Sequence, residues 1–497
     1  MDISTAQNQT QSPVKDLTSS IIKPRLILLA LGIMFGWRVF SFLGHQFASL
    51  EPLLFILISI GALILTVRKR FYGILFLFTE LIIGSQGRML SIEFPGFSIS
   101  IRLALFAIVM LGWLILDHPF KELWQRTKQS KVFQLYLLFI TAVILGGING
   151  ALKYPFSNVF FDLNGYLFLG LTLPLIKFAE DESLLVHILN LIFAGAIFMG
   201  GEMLLYLYIF FHGFGWQTEW YKWLRDTRLA EITPMSKSAD FYRIFFQSYI
   251  YSAIALVATV WLHAKKSISD RWHALITVAS KIAIIASLSR SIWYGLFISI
   301  PFTLWHGSQR AKTHIKASYS LVLGLLGGLL AILLITNLPL PKPSNWYTFD
   351  FVTERLDVTG EAGASSRWKL LPPLISKIKE HPIVGSGFGT PVTFNSDDPR
   401  IKNELNPIGS TTTYSFEWGI LDTLTEIGII GLGIFLLLWG FAQREVWKRG
   451  SVFKLLVLIN ILILLIHITT PYLNHPLGLG MLSITIAAAI AKKSNLG

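Results

Sequence analysis

Residues 273–306, HALITVASKIAIIASLSRSIWYGLFISIPFTLWH, decide how this chain folds. Two apolar runs, 273–288 and 291–306, meet at Ser287-Leu288-Ser289-Arg290-Ser291 with almost no connector between them. Neither run carries the polar face that a soluble helix needs. About 20 apolar helical residues cross a ~30 Å hydrocarbon core. The pair therefore reads as a membrane hairpin whose turn holds Arg290 close to one boundary.

Comparable runs recur along the whole chain. Spans are expected at about 25–43, 52–67, 71–86, 101–116, 132–149, 159–178, 184–211, 246–263, 273–288, 291–306, 317–338, 418–441, 453–470 and 476–491. The composition agrees: 53% of residues are hydrophobic, only 14% are charged, and the mean hydropathy is +0.58. Soluble domains carry about 25% charged residues, so a soluble fold is excluded. A transmembrane β-barrel fails because its strands alternate apolar and polar over about 10 residues. The expected fold is an all-α polytopic transmembrane helix bundle of about fourteen spans (range 11–14) with one long extracytoplasmic loop containing short helices. There is no cysteine, which removes disulfides and thiolate sites.

Residues 1–24 are polar and read as an N-terminal cytoplasmic tail. Residues 25–338 hold spans one to eleven, 339–416 the long outer loop, and 417–497 the last three spans and a short tail. With the N-terminus inside, 23 of the 42 Lys and Arg residues fall in inner segments, and nearly every short inner loop is basic. This is the positive-inside pattern, with both termini cytoplasmic and the long loop outward. The net charge of +13 is thereby explained by lipid head groups rather than nucleic acid.

Two outer segments are too long for simple connectors. Residues 212–245 are rich in Trp, Tyr and charge, which suits sugar stacking. Within 339–416, SSRWKLLPPLISKIKEHPIVGSGFG reads as a short helix. Ser365 or Ser366 would cap it, Leu371, Leu374, Ile375 and Ile378 would form its apolar face, and Pro372-Pro373 would limit it to a few turns. His381-Pro382 would stop it, and the glycines at 385, 387 and 389 would form a close-packed turn.

Arg290 admits two readings. It is an interface anchor reaching lipid phosphate, or a phosphate clamp whose planar fork takes two oxygens while Ser289 and Ser291 add hydroxyls. Arg243 lies at the outer start of a span and Arg367 opens the loop helix. Arg38, Arg88 and Arg102 lie near outer span ends, where plain lipid contact is expected. The acids Glu417, Asp422 and Glu426 cluster where the loop re-enters the membrane. Each needs a partner or a role there. Asp422 and Glu426 share a helix face, and capping with ion pairs is the simpler reading for both. Lys281, mid-span, is expected to pair with Glu202 or Glu80. No histidine spacing fits a metal, and no Walker loop or dinucleotide fingerprint occurs, so no cofactor and no metal are expected.

Three features resemble the O-antigen ligase and Wzy-type polymerase superfamily. They are Ser289-Arg290-Ser291 between two spans, the loop's Arg367-Trp368 with His381-Pro382, Gly385 and Gly387, and the exit motif at Glu417, Trp418, Gly428 and Gly431. The resemblance covers about residues 240–442. It implies a metal-independent glycosyltransferase that moves glycan from a polyprenyl (undecaprenyl) diphosphate carrier on the outer face of the bacterial plasma membrane. Membrane lipids and other polysaccharide assembly proteins are its implied company. It also implies Arg290 and Arg243 as the diphosphate clamp, Arg367 as a third member, and Trp368 as support. Where family ligases have a catalytic histidine this chain has Glu417, which points to an O-antigen, capsule or exopolysaccharide polymerase with Glu417 as base. A flippase of lipid-linked glycan, and a non-catalytic assembly partner, are the alternatives.

Overall fold

A computed structural model describes residues 21–94, 97–118, 120–234, 242–308, 310–341, 343, 362–398 and 401–491. Most of the N-terminal tail, and residues 344–361 of the long loop, lie outside the described residues. Helices occupy the apolar stretches: α1 (Pro24–Gln46), α2 (Glu51–Arg68), α3 (Arg70–Ile83), α4 (Ile101–Asp117), α5 (Phe120–Thr127), α6 (Lys131–Ala151), α7 (Phe156–Leu163), α8 (Thr172–Phe178) and α9 (Ser183–Phe211). They continue through α10 (Gln217–Asp226), α11 (Ile250–Ala264), α12 (Asp270–Ser287), α13 (Arg290–Gly307), α14 (Ala311–Thr336), α15 (Ala362–Glu380), α16 (Gly419–Trp447), α17 (Ser451–His467) and α18 (Pro476–Ile490). A 3₁₀ stretch, Asn164–Leu171, joins α7 to α8. Among the described residues, seven helical segments are long and apolar enough to cross a membrane: α1, α2, α6, Phe156–Phe178, α9, α14 and α16. Short antiparallel hairpins, β1–β2 (Ser91–Phe94, Phe97–Ser100), β3–β4 (Glu231–Pro234, Tyr242–Phe245) and β5–β6 (Val392–Asn395, Ser410–Thr413), decorate the connections.

Helices that are apolar all round go to the centre. Every residue of α11 is buried, and all of α18 except Ala489. Helices α2 and α14 lie outside, exposing Leu53, Leu57, Ile60 and Ile64, and Leu323, Leu326, Leu330 and Leu334. A contiguous apolar surface of this size is what lipid covers.

Arg449 ties separate connections together, donating to Ala179 O (2.8 Å), Glu180 O (2.6 Å) and Ala488 O (2.5 Å). Lys316 pairs with Asp270 at 3.0 Å.

Three expectations about charge need correction. Arg38 and Arg102 are buried inside the protein and not on its outer surface. Arg38 is buried against Glu202 (Nε–Oε1 2.5 Å, Nη2–Oε2 3.1 Å), and Arg102 against Glu80 (2.7 Å). Lys281 therefore has neither acid as partner, and donates instead to the Leu321 carbonyl. A guanidinium is more weakly hydrated than an ammonium and offers five donors, which suits it to a buried carboxylate.

The centre of the long loop is built into the bundle. Helix α16 breaks at Gly428, whose backbone sits at φ 66°, ψ −173°. The segment 382–388 lies in that break and takes up the hydrogen bonds the helix has lost. Ser386 N donates to Thr425 O (2.7 Å) and Gly387 N to Glu426 O (3.2 Å). Ile429 N donates to Pro382 O (2.9 Å) and Ile430 N to Ile383 O (3.2 Å). Unpaired backbone groups at membrane depth would cost several kcal/mol each, so the two irregular segments satisfy one another. A Cβ on Gly428 would meet Ile383 O at 2.3 Å, and one on Gly387 (φ +98°) would meet Gly150 N of α6 at 2.5 Å.

Helix α15 also departs from expectation. It starts at Ala362 and runs through Pro372-Pro373 to Glu380. Ser365 and Ser366 do not cap it. Their hydroxyls bond Asp397 (2.5 Å) and the Ser396 hydroxyl (2.8 Å), tying the helix to the strand beyond. Its buried face is Leu370 and Leu374 with Ile378 behind, packed on Val392 and Phe416, whereas Ile375 is exposed.

Two outcomes are expected. Gly428→Ala adds both a strained φ and a clash with the loop, so we expect a loss of about 1–3 kcal/mol or more, seen as a lower melting temperature in detergent. Arg38→Met strands Glu202 and should cost about 3–5 kcal/mol, most of it recovered in Arg38→Met/Glu202→Leu. A double variant no more stable than the single would contradict the ion pair's role.

Candidate functional site

The Arg290 turn forms because Leu288 takes a left-handed backbone conformation (φ 50°), ending α12 so that α13 starts two residues later. Serines fill the corner. Ser287 Oγ donates to Ile284 O (2.7 Å), Ser289 N donates to Ser287 Oγ (3.3 Å), and the Ser289 and Ser291 hydroxyls lie 3.1 Å apart. Arg243, on β4, joins this corner by donating Nε to Ser287 O at 2.9 Å, its guanidinium over the Phe245 ring. Two arginines 47 residues apart in sequence are thus fixed on one turn. Thr470 donates to Ser291 at 3.0 Å and carries the corner to the first of three cavities.

These cavities meet at Gln247, which lines all of them. The smallest, of 150 Å³, is lined by Asp162, Asp422, Thr470, Asn474 and His475 among others. The second, of 450 Å³, brings Glu417 together with Arg225, Arg228 and Glu231. The third, of 910 Å³, is lined by Arg88, Arg102, Arg228, Ser415 and His475 together with Phe94, Phe97, Phe156, Phe160 and Phe161. Gln247 is held by its backbone: its N–H bonds Ser85 Oγ (3.1 Å) and its carbonyl accepts from Tyr472 OH (2.9 Å).

The predicted acids separate. Glu417 is about half exposed (51%) and forms an ion pair with Arg367. Trp418 donates to Arg367 O and packs edge-on against exposed Trp368, with ring centroids 5.5 Å apart. Asp422 and Glu426 are buried at 2% exposure and do not ion-pair with the arginines. Asp422 accepts from Asn474 Nδ2 (2.8 Å) and Glu426 from Tyr166 OH (3.1 Å). They converge with Asp162, which accepts from Gly389 N at 2.7 Å. Carboxylate oxygens of Asp162, Asp422 and Glu426 lie within 4.8 Å of one another. That spacing and all-oxygen chemistry would suit a hard cation such as Mg²⁺ or Ca²⁺. Shared protons would neutralise the cluster equally well.

The structure brings Arg290 and Arg243 to one corner and sets Glu417 on a neighbouring cavity, and it adds Gln247, Asp162, Arg228 and His475, which sequence reasoning does not single out, to the linings. Tyr472-Leu473-Asn474-His475-Pro476 repeats the His-Pro signal seen at 381–382, and that repetition was available. The tryptophans of 212–245 were overvalued. Trp216, Trp220 and Trp223 stack with Tyr206 and Phe42 against helix ends, Trp223 donates to Ser41 Oγ (3.0 Å), and none lines the three cavities.

Residues 274–436 match the family model described as O-antigen ligase. The matched stretch holds Arg290, Arg367, Glu417, Asp422 and Glu426, and leaves Arg243, Asp162 and His475 outside. No curated protein and no solved structure matches the chain.

His475 supplies a pH test. Burial, and then the charge of Arg102, hold its imidazole down at about 3. The unfolded chain takes up a proton near pH 6.5 and the folded one does not. Its contribution is therefore complete above about pH 6.5 and shrinks as pH falls toward 3, by up to about 1.4 kcal/mol per unit. Melting temperature should drop between pH 7 and pH 5, and drop less in His475→Asn. Equal slopes would refute the assignment.

Proposed function

From the O-antigen ligase domain that this membrane chain carries at residues 274–436, we propose that it transfers an oligosaccharide from a polyprenyl diphosphate to an acceptor hydroxyl on the outer face of the bacterial plasma membrane. We read all fourteen apolar stretches as spans, with both termini cytoplasmic, and the product as an O-antigen, capsule or exopolysaccharide. The observation carrying this reading is the shared corner of Arg243 and Arg290, linked through Ser291 and Thr470 to cavities that also hold Glu417.

In this mechanism Arg290 and Arg243 bind the diphosphate and neutralise the charge it gains as it leaves. Fixed donors aimed at developing charge are usually the largest catalytic contribution. The acceptor oxygen attacks the anomeric carbon, the bond from that carbon to the phosphate oxygen breaks, and the hydroxyl proton passes to Glu417. Arg367, paired with Glu417, holds that carboxylate in place. Ser289 and Ser291 set the Arg290 turn. Asp422 and Glu426 brace the floor of the site, and Trp368 with Trp418 offers the aromatic face on which a sugar ring stacks.

A flippase needs polar groups through the depth of the bundle. Glu80 and Glu202 are committed to arginines, and Lys281 lines none of the cavities described. That favours the transferase.

Arg290→Ala and Glu417→Gln should each abolish polymer while protein remains in the membrane. With purified protein and lipid-linked oligosaccharide, release of diphosphate lipid and glycan growth should fall at least about 100-fold for either variant. Normal chain length in both would sink the mechanism.

A further inference from the structure

The largest cavity contains neither Arg290 nor Arg243, yet it is the most basic of the three. Arg88, Arg102 and Arg228 reach it from different places: the turn after α3, the first turn of α4, and the residues after α10. Arg88 is pinned by a hydrogen bond to Ser98 Oγ (3.1 Å) and by the Phe161 ring beneath its guanidinium (5.8 Å). Arg228 sits at φ 51°, a backbone state unusual for a residue with a side chain. Burial, and the facing charge of Arg228, hold the Arg88 guanidinium below its ordinary range, with Glu93 opposing.

Arg102 supplies the strongest indication. It is 4% exposed, and while Nε is used by Glu80, both Nη1 and Nη2 are buried without a hydrogen-bond partner. Gly87, at φ +83°, lies flat against this guanidinium: a Cβ there would be 2.7 Å from Nε. Buried donors left unpaired are costly, and two on one arginine beside a cavity indicate a group that accepts from both. The rest of the lining is rich in phenylalanine. Phe94 and Phe97 stack at 5.0 Å on the β1–β2 tip, both exposed, with Phe156, Phe160 and Phe161 beside them.

We propose that this cavity is a second lipid-phosphate subsite, distinct from the Arg290–Arg243 clamp, in which Arg88, Arg102 and Arg228 receive a phosphate-type head group and the phenylalanine wall receives its hydrocarbon chain. The guanidiniums give forked donors that match phosphate oxygens. The cavity joins the Glu417 cavity through Gln86, Arg228 and Gln247. A lipid held here would present its attached group to the same base. Calling it a co-substrate rests on the transferase reading; the binding itself does not.

The test is equilibrium binding of farnesyl diphosphate to the full chain in nanodiscs, with inorganic pyrophosphate and farnesol as separate probes. Wild type should bind two equivalents of farnesyl diphosphate, and Arg243→Ala/Arg290→Ala should bind one. Adding Arg88→Gln/Arg228→Gln to that background should weaken the remaining binding by roughly tenfold or more, and Arg228→Lys should restore part of it. Pyrophosphate that binds as tightly as farnesyl diphosphate would show an anion site without a lipid wall and overturn the lipid part. Binding unchanged by Arg88→Gln/Arg228→Gln, with melting temperature also unchanged, would overturn the proposal whatever the clamp does. Loss of all binding on Arg88→Gln/Arg228→Gln, with none lost on Arg243→Ala/Arg290→Ala, would uphold the subsite and instead remove the clamp from the transferase reading.

Discussion

The architecture depends on one exchange of backbone hydrogen bonds. Helix α16 gives up its own ladder at Gly428, and the segment after His381-Pro382 supplies the donors and acceptors it lost. Neither piece could sit alone in a low-dielectric interior, because each would leave peptide groups unpaired. Together they make a joint between the long loop and helix α16. Glycine is required at the crossing points, where backbones touch at distances no side chain permits. From this joint Gly389 reaches Asp162 on α7, and Glu426 and Asp422 are set one turn apart facing it. Glu417 lies two residues before α16 begins. A loop anchored in this manner presents its aromatic and charged residues from a fixed base, which is what a site of defined geometry needs.

Much of the architecture was legible because the hydrocarbon core imposes a length rule that local sequence obeys. Runs such as 132–149 and 184–211 are spans by length and apolarity, and helices α6 and α9 lie on them. The turn at Arg290 was legible for the same reason, since two runs cannot meet without placing their junction at a boundary. What failed was partner choice. Arg38 and Glu202 are 164 residues apart, and nothing in a local pattern says which buried cation meets which buried acid. Ser365 and Ser366 look like caps, yet a hydroxyl serves a distant carboxylate as readily as a nearby amide, and Asp397 won. The face of α15 was offset because residues 370, 374 and 378 and residues 371, 374, 375 and 378 are both acceptable apolar stripes on one short helix. Only the position of Phe416 and Val392 decides between them.

The candidate site divides along the same line. Glu417 and the serine-flanked arginine could be picked out because charged residues at membrane boundaries are conspicuous. Gln247 could not, because a glutamine at the start of a span carries no such signal. Its importance comes from where three cavities meet. Asp162 is equally silent in sequence and becomes notable only when the α16 joint brings two further carboxylates beside it. The pattern is physical. Sequence reports the cost of placing a group, whereas tertiary packing decides what repays it.

The Arg38–Glu202 pair has a bearing on how the protein is made. Arg38 lies in the first helix and Glu202 in the ninth, so the cation leaves the ribosome long before its partner exists. At usual elongation rates of about 5–20 residues per second, the interval is on the order of 10–30 s. During that time α1 carries an uncompensated guanidinium in its C-terminal half, and a long side chain that reaches toward head groups keeps the cost of insertion small. Helix α1 must therefore be parked at the interface first and drawn into the bundle once α9 arrives. Biogenesis of this protein is thereby divided into an early stage, in which helices are threaded one by one, and a late stage of lateral docking triggered by an acid that arrives 164 residues behind its base.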